Sequence, residues 1–172
     1  MDKKIAIVGN AAPFRDYSKE IDTCDLVVRF NNTNHWKSGK IGSRCDIHAF
    51  QHNEITALAG GVSSSPAKEI WIFCSNRKNC NALKIIRANN FMTRKCRVVF
   101  WDEKSWAVKL CAKYASSGFS MIESLLEKAY YDCYKKLLFC FTWQGCKENH
   151  NWRNEKNWCQ QYERKSLLKI IR

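Results

Sequence analysis

Short apolar runs alternate along the chain with segments in which apolar residues recur every three or four positions. The short runs are rich in β-branched residues and predict six strands, at residues 5–8, 26–30, 46–50, 70–74, 97–101 and 137–141. The segments with helical spacing predict five helices, at residues 16–22, 79–91, 104–114, 118–131 and 152–171. Because the apolar strands alternate with helices, the predicted fold class is α/β, a single, mostly parallel, Rossmann-like sheet flanked by helices.

Length and composition predict one folded domain over residues 1–172. Hydrophobic residues make up 45% of the chain and charged residues 26%, which is ordinary for a globular protein. No run of about 18 apolar residues predicts a membrane span. The first four residues lead directly into a strand, without the apolar core or cleavage site of a secretory signal, so we expect a cytoplasmic protein.

The chain carries ten cysteines and a formal net charge of +13. The cysteines are scattered without a Cys-x-x-Cys pair, so neither zinc binding nor a disulfide scaffold is favoured. Several of them, including Cys74, Cys96 and Cys140, lie in apolar runs and are expected to act as small hydrophobic residues. The positive charge predicts attraction to polyanions: nucleic acid, an anionic membrane surface or phosphorylated substrates.

Polar residues and one glycine follow the first two predicted strands. Gly9 and Asn10 come directly after the first strand, and Arg29 and Asn31 stand at the end of the second. Parallel strands bring these ends to one edge of the sheet, where α/β proteins bind ligands. The dinucleotide pattern G-x-G-x-x-G is absent, and asparagines in a strand-ending turn explain the second group equally well.

Residues 5–32, IAIVGNAAPFRDYSKEIDTCDLVVRFNN, resemble the large sialyl motif of family 29 sialyltransferases. In that motif a strand ending in Gly-Asn precedes the run I-D-x-x-D-x-V-x-R-x-N, which this chain matches from Ile21 to Asn31. KIGSRCDIH, at residues 40–48, is similar to the V-G-S segment that follows it in the family.

Two later segments extend the resemblance. Residues 114–143 are similar to the small sialyl motif, with Ser116, Ser117 and Gly118 at the start of an amphipathic helix. A helix start of this kind binds anions through its backbone N–H groups, although an ordinary serine N-cap is the alternative. His150 and Glu155 match the short H-x4-E motif.

The chain also departs from the family pattern. Animal members join a cysteine of the large motif to one of the small motif, whereas here Ile5 stands near the first position and leaves Cys133 without a partner. Cys140 stands where the family usually has glycine, and residues 145–149 do not show the histidine motif expected there. These departures indicate a minimal, microbial-type relative.

The resemblance implies an inverting glycosyltransferase that needs no metal or other cofactor. Its donor would be CMP-sialic acid, or a related CMP-nonulosonate or CMP-Kdo, and its acceptor a glycan or glycolipid. Gly9, Asn10, Arg29 and Asn31, together with Ser116, Ser117 and Gly118, are the implied nucleotide-sugar-binding residues. His150 is the implied general base, and Glu155 is expected to orient its segment. Basic residues and helix dipoles would offset the charge of the leaving phosphate. Peripheral contact with an anionic inner membrane would suit the net charge.

Two other readings of the sequence stay open. With 29 basic residues and seven tryptophans, a nucleic-acid-binding module is conceivable, although Trp71, Phe73, Phe100 and Trp101 lie in apolar runs where core packing is the simpler explanation. No nucleic-acid-binding signature is present, so no nucleic-acid partner is expected. A catalytically inactive relative that only binds CMP is the third reading.

Overall fold

The computed structural model describes residues 3–31, 39–51, 65–74, 95–100, 103–113, 115–143 and 150–172. Within these ranges seven strands form one sheet: β1 (Lys3–Val8), β2 (Leu26–Phe30), β3 (Ile47–Gln51), β4 (Glu69–Cys74), β5 (Lys95–Phe100), β6 (Tyr134–Phe139) and β7 (Leu168–Ile170). The four described α-helices are α1 (Ser18–Asp22), α2 (Glu103–Lys109), α3 (Ser117–Glu127) and α4 (Trp152–Arg164). A 3₁₀ turn (Ala129–Tyr131) follows α3.

All strand pairs are parallel, in the order β5-β4-β3-β2-β1-β6-β7. The predicted α/β class with a Rossmann-like parallel sheet is therefore confirmed. From β1 the chain moves outward to β5, and then crosses back to place β6 on the other side of β1. The strand order thus reverses between β1 and β6, and in open α/β sheets the carboxyl side of such a reversal is a crevice.

The two faces of the sheet pack differently. On one face the side chains of β1, β2 and β6 form a core with three residues of α3, Met121, Ile122 and Leu125. On the other face Ala6, Val8 and Val27 pack with Ile21 of α1 and Ile41. Strand residues alternate between these faces, so neighbours in sequence meet different partners.

The end of the chain differs from the prediction. A single helix was expected over residues 152–171, but α4 ends at Arg164 and β7 follows it. Ser166 adopts a positive φ of 59°, which breaks the helix. Leu168 and Ile170 are then buried against β6 while Lys169 is exposed, which is the two-residue period of a strand.

Two further expectations have different outcomes. Cys74, expected to be a small hydrophobic residue, is disulfide-bonded as well as buried. The predicted helix at 79–91 lies outside the described residues. A third expectation concerned membrane spans: none of the helices in the described ranges has the length and apolar character that crossing a bilayer requires.

Candidate functional site

A cavity of about 370 Å³ opens at the carboxyl ends of β1, β2 and β6, where the strand order reverses. It is lined by Gly9, Asn10, Ala11, Phe30, Asn31, Ser116, Gly118, Cys140, Phe141, Thr142, Trp143, His150 and Trp152. Its volume lies within the range of small-molecule sites. Six of the nine residues predicted from the sequence line this one cavity, although they come from three distant segments. Arg29 and Glu155 do not line it, and the Ser117 side chain lies outside the described part of the structure.

Gly9 brings the loop after β1 directly against the end of β6. Its N–H donates to the Phe139 carbonyl at 2.8 Å, and the Ala11 N–H donates to the Cys140 carbonyl at 3.3 Å. A Cβ on Gly9 would collide with the Cys140 carbonyl group, which is backbone and has no rotamer with which to move away. Glycine is therefore required here by close approach of two backbones, and this approach sets Asn10 at the cavity.

Asn31 ends β2 in the left-handed region, with φ at 50°. Asparagine tolerates this conformation better than most residues do. Its N–H donates to the Ala49 carbonyl at 2.8 Å, and its own carbonyl accepts a hydrogen bond from His48 Nε2 at 3.1 Å. Both backbone polar groups of Asn31 are thus held by β3.

Arg29 points away from the cavity, in contrast to its predicted binding role. Since Phe30 faces the cavity, its neighbour Arg29 must face the opposite side of the sheet. There the guanidinium is buried and donates to the carbonyls of Ile41, Gly42 and Arg44. Burial lowers the pKa of this guanidinium. In the described structure Arg29 fastens the residue 41–44 loop to the sheet instead of lining the cavity.

Asp22 and Arg44 connect α1 with the residue 41–44 loop. The Asp22 carboxylate accepts from the backbone N–H groups of Ser43 and Arg44 at 3.0 and 3.1 Å. Arg44 in turn donates to the Asp22 carbonyl and to the Asp46 carboxylate. Asp22, an acidic residue of the large-motif match, therefore builds the scaffold beside the cavity and is not part of the cavity lining.

Ser116 and Glu155 join the beginning of α3 to α4. The Ser116 N–H donates to Glu155 Oε1 at 2.8 Å, and its hydroxyl donates to Glu155 Oε2 at 2.7 Å. The same hydroxyl accepts from the Phe119 N–H at 3.1 Å, so Ser116 is the N-cap of α3. Glu155 is 0% exposed, and burial raises the pKa of its carboxyl group against the lowering effect of the Ser116 hydrogen bonds. This carboxyl group orients two elements of the site.

Gly118 packs closely against two aromatic rings. A Cβ at this position would lie 2.9 Å from Phe30 Cζ and 3.1 Å from Phe141 Cε1. The space that a side chain at this position would need is occupied by these two rings. Ser117 begins α3, while its side chain is outside the described part of the structure.

His150 lies beside the cavity just before α4, with its ring centroid 5.0 Å from that of Trp152. Asn151 is the N-cap of α4 and accepts from the Asn154 N–H at 3.2 Å. Asn151 and Asn154 also donate from their side-chain amides to the carbonyls of Cys111 and Leu110, at 3.3 and 2.8 Å. Two asparagines that the sequence interpretation overlooked therefore fix the position of the His150 segment.

The described cavity lining contains no lysine, arginine, aspartate or glutamate. The basic side chains expected to offset a phosphate are therefore not among these residues. Instead, α3 and α4 both begin at the cavity, and the amino ends of helices attract anions. Within the described ranges, no three acidic, histidine or cysteine side chains are grouped as a metal site would need.

Aromatic residues form most of the lining that the sequence interpretation missed. The rings of Phe141 and Trp143 are 5.2 Å apart and tilted by 31°, and Phe30 lies 5.9 Å from Phe141. The pattern F-x-W directly after a buried strand was the available signal. These rings give the cavity an apolar wall beside the polar ends of β1 and β2.

Two departures from the family pattern have a structural counterpart. Cys133 is exposed and free, as its missing partner predicts. Cys140, at the position where the family usually has glycine, adopts a φ of 58°. Residues 145–149, where the third motif is missing, lie outside the described residues.

Searches with protein-family models and against curated proteins give no match to this chain.

Proposed function

We propose that this protein is an inverting glycosyltransferase of the sialyltransferase type. It transfers sialic acid, or a related nonulosonate or Kdo, from a CMP-activated donor to a glycan or glycolipid. The observation that carries the proposal is the convergence of Gly9, Asn10, Asn31, Gly118 and His150 on one cavity. These residues come from three motif-like segments separated by as much as 141 positions, and they meet at one part of the carboxyl edge of the sheet, as the resemblance implies.

The donor's phosphate lies at the amino end of α3, against the Gly118 backbone and the turn after Gly9. Backbone N–H groups and the helix dipole stabilise its charge there. The amides of Asn10 and Asn31 provide hydrogen bonds to phosphate or ribose. The aromatic wall excludes water from the reacting groups and strengthens these electrostatic interactions.

His150 acts as the general base. Its neutral imidazole removes the proton from the acceptor hydroxyl while the hydroxyl oxygen attacks the anomeric carbon of the donor sugar. The new carbon–oxygen bond forms on the face opposite CMP, and the bond between the anomeric carbon and the phosphate oxygen breaks. CMP leaves with that electron pair, the proton stays on His150, and the configuration of the anomeric carbon is inverted.

Glu155 is a positioning residue in this scheme. Its carboxyl group is fully buried and bonded through both oxygens to Ser116, so it cannot reach a substrate in the cavity. It fixes α3, which holds the donor phosphate, relative to α4, which follows the base. Sugar transfer needs the donor phosphate and the base to be held in the correct relative position, because small misplacements of reacting groups reduce rates strongly.

The alternative of a nucleic-acid-binding module loses part of its basis. Stacking of bases needs exposed rings, but Trp71 and Phe73 are 0% and 1% exposed in the core. Phe100, also expected in the core, is instead 45% exposed, and Trp101 lies outside the described residues. An inactive CMP-binding relative would share the cavity and differ only in turnover. Metal independence, a cytoplasmic location and peripheral contact with the inner membrane belong to the same proposal.

The direct test is release of CMP from CMP-sialic acid and CMP-Kdo by the purified protein. We expect release from at least one donor, increased by a suitable glycan acceptor and reduced in His150→Ala. A parallel titration at physiological salt compares CMP with a single-stranded oligonucleotide. Tight oligonucleotide binding without CMP binding would favour the nucleic-acid module, and CMP binding without turnover would favour the inactive relative.

A further inference from the structure

His48 is a buried histidine in β3 that lies next to the cavity without lining it. Its side chain is 0% exposed, and its ring packs 4.0 Å from that of Phe50. Nδ1 lies 2.8 Å from the Ser65 hydroxyl and Nε2 lies 3.1 Å from the Asn31 carbonyl. Both ring nitrogens are thus engaged, which is what a buried polar group requires.

The partners of His48 determine which nitrogen carries the proton. A carbonyl oxygen only accepts, so Nε2 must be the donor to Asn31. In the neutral ring Nδ1 then accepts a hydrogen bond from the Ser65 hydroxyl group. The Ser65 oxygen in turn accepts from the Ala67 N–H at 3.3 Å. One hydrogen-bonded chain therefore runs from the segment before β4, through His48, to the backbone of Asn31.

The chain of hydrogen bonds through His48 ends at Asn31, whose backbone conformation costs free energy. Asn31 has a φ of 50°, a region that non-glycine residues adopt only where their surroundings hold them. Its N–H is fixed by the Ala49 carbonyl, and its own carbonyl is held by His48. With both groups held, the direction in which the Asn31 side chain leaves the sheet is defined.

We propose that His48 is a positioning residue, which holds Asn31 in the conformation that presents its amide to a ligand in the cavity. The inference deepens the proposed function, because Asn31 is one of its donor-binding residues. His48 itself does not touch the donor. It acts only through the Asn31 carbonyl.

Two isosteric variants separate the two hydrogen bonds of the ring. The amide of His48→Gln extends as far as Nε2 and can still donate to the Asn31 carbonyl, whereas that of His48→Asn ends near the position of Nδ1 and can reach only Ser65. Each variant keeps one partner and loses the other, so the two are matched controls for general damage to the core. Ser65→Ala removes the Nδ1 partner while leaving the Asn31 bond in place.

The readouts are the ¹³C chemical shift of the Asn31 carbonyl, hydrogen exchange of its backbone amide, and the Kd for CMP. We expect wild-type-like values in His48→Gln and Ser65→Ala. In His48→Asn we expect an upfield carbonyl shift, faster exchange and a roughly 3- to 10-fold weaker Kd for CMP. Equal behaviour of His48→Gln and His48→Asn at Asn31 would overturn the inference. If the wild type does not bind CMP, the proposed function fails, but the two NMR readouts still decide whether His48 positions Asn31.

Discussion

The hydrogen bonds between Ser116 and Glu155 predict a large and non-additive loss of stability when either side chain is removed. Ser116→Ala removes the N-cap of α3, and it leaves a buried carboxylate oxygen without its hydroxyl partner. The two effects together should cost about 2–4 kcal/mol. Glu155→Ala leaves the Ser116 N–H and hydroxyl without their acceptor inside the protein, and should cost about 3–5 kcal/mol.

A double-mutant cycle measures the part that belongs to the pair. In the double variant no oxygen of either side chain is left without its partner, so the coupling energy from urea denaturation should be about 1.5–2.5 kcal/mol. Ser124→Ala is the matched control, because Ser124 is a buried serine of the same helix for which the described structure gives no hydrogen bond. It should change stability by less than about 1 kcal/mol. A coupling energy below about 0.5 kcal/mol would show that Glu155 does not hold the two helices together through Ser116.

The remaining predictions concern the cavity and one buried acid. Asn10→Ala and Asn31→Ala should each weaken CMP binding by about 1–2 kcal/mol in calorimetric titrations, and unchanged affinity in both would remove them from the binding site. His150→Ala should lower the rate of CMP-sugar turnover by about 10²–10⁴-fold with donor affinity nearly intact, whereas a wild-type rate with acceptor present would return this histidine to a structural role. Gly118→Ala should lower stability by about 1–3 kcal/mol through its contacts with the two phenylalanine rings, and Gly118→Val should lose more, so an unchanged melting temperature in both would contradict that packing. Glu123 is buried, and desolvation raises the pKa of its carboxyl group from 4.5 to about 7. The stability that the protonated carboxyl group contributes is complete below pH 4.5 and is lost as the pH rises through 7, a difference of about 3 kcal/mol in the free energy of unfolding. Glu123→Gln should therefore raise the melting temperature at pH 8 and leave it nearly unchanged at pH 4.5. An equal effect of this variant at both pH values would refute the pKa argument.

Much of the sheet could be predicted from the sequence because strands such as β1, β2 and β4 are buried on both faces over most of their length. Such strands appear as continuous apolar runs, and the first six are found within three residues of their expected starts. The seventh was missed because it is only three residues long and directly follows a helix. Its alternation of Leu168, Lys169 and Ile170 is too brief to outweigh the helical pattern before it.

The candidate site was predictable only in part. Residues at strand ends, such as Gly9 and Asn31, share an edge whenever the strands are parallel, so their convergence follows from the fold class. Arg29 shows the limit of that argument, since one position along a strand decides which face a side chain meets. The pairing of Ser116 with Glu155 crosses 39 positions and depends on how two helices pack, which no local pattern contains.

The structural roles of Gly9 and Gly118 could not be predicted from the sequence. Sequence alone indicates that Gly9 and Gly118 are small, and the resemblance assigns both to nucleotide-sugar binding. In the structure each of them makes room for another part of the protein: the Cys140 carbonyl in one case and two phenylalanine rings in the other. A glycine beside a cavity can therefore be required by packing even where the cavity binds a ligand.

The proposed function requires the cavity between the ends of β1, β2 and β6 to bind the CMP portion of a sugar donor. The most direct measurement is a titration of ¹⁵N-labelled protein with CMP, followed by NMR. We expect saturable shifts of the backbone amides of Gly9, Asn10, Asn31 and Gly118, with smaller changes on the face of the sheet packed by α1. Binding that leaves these four amide signals unchanged, or no binding at millimolar CMP, would refute the proposed binding site.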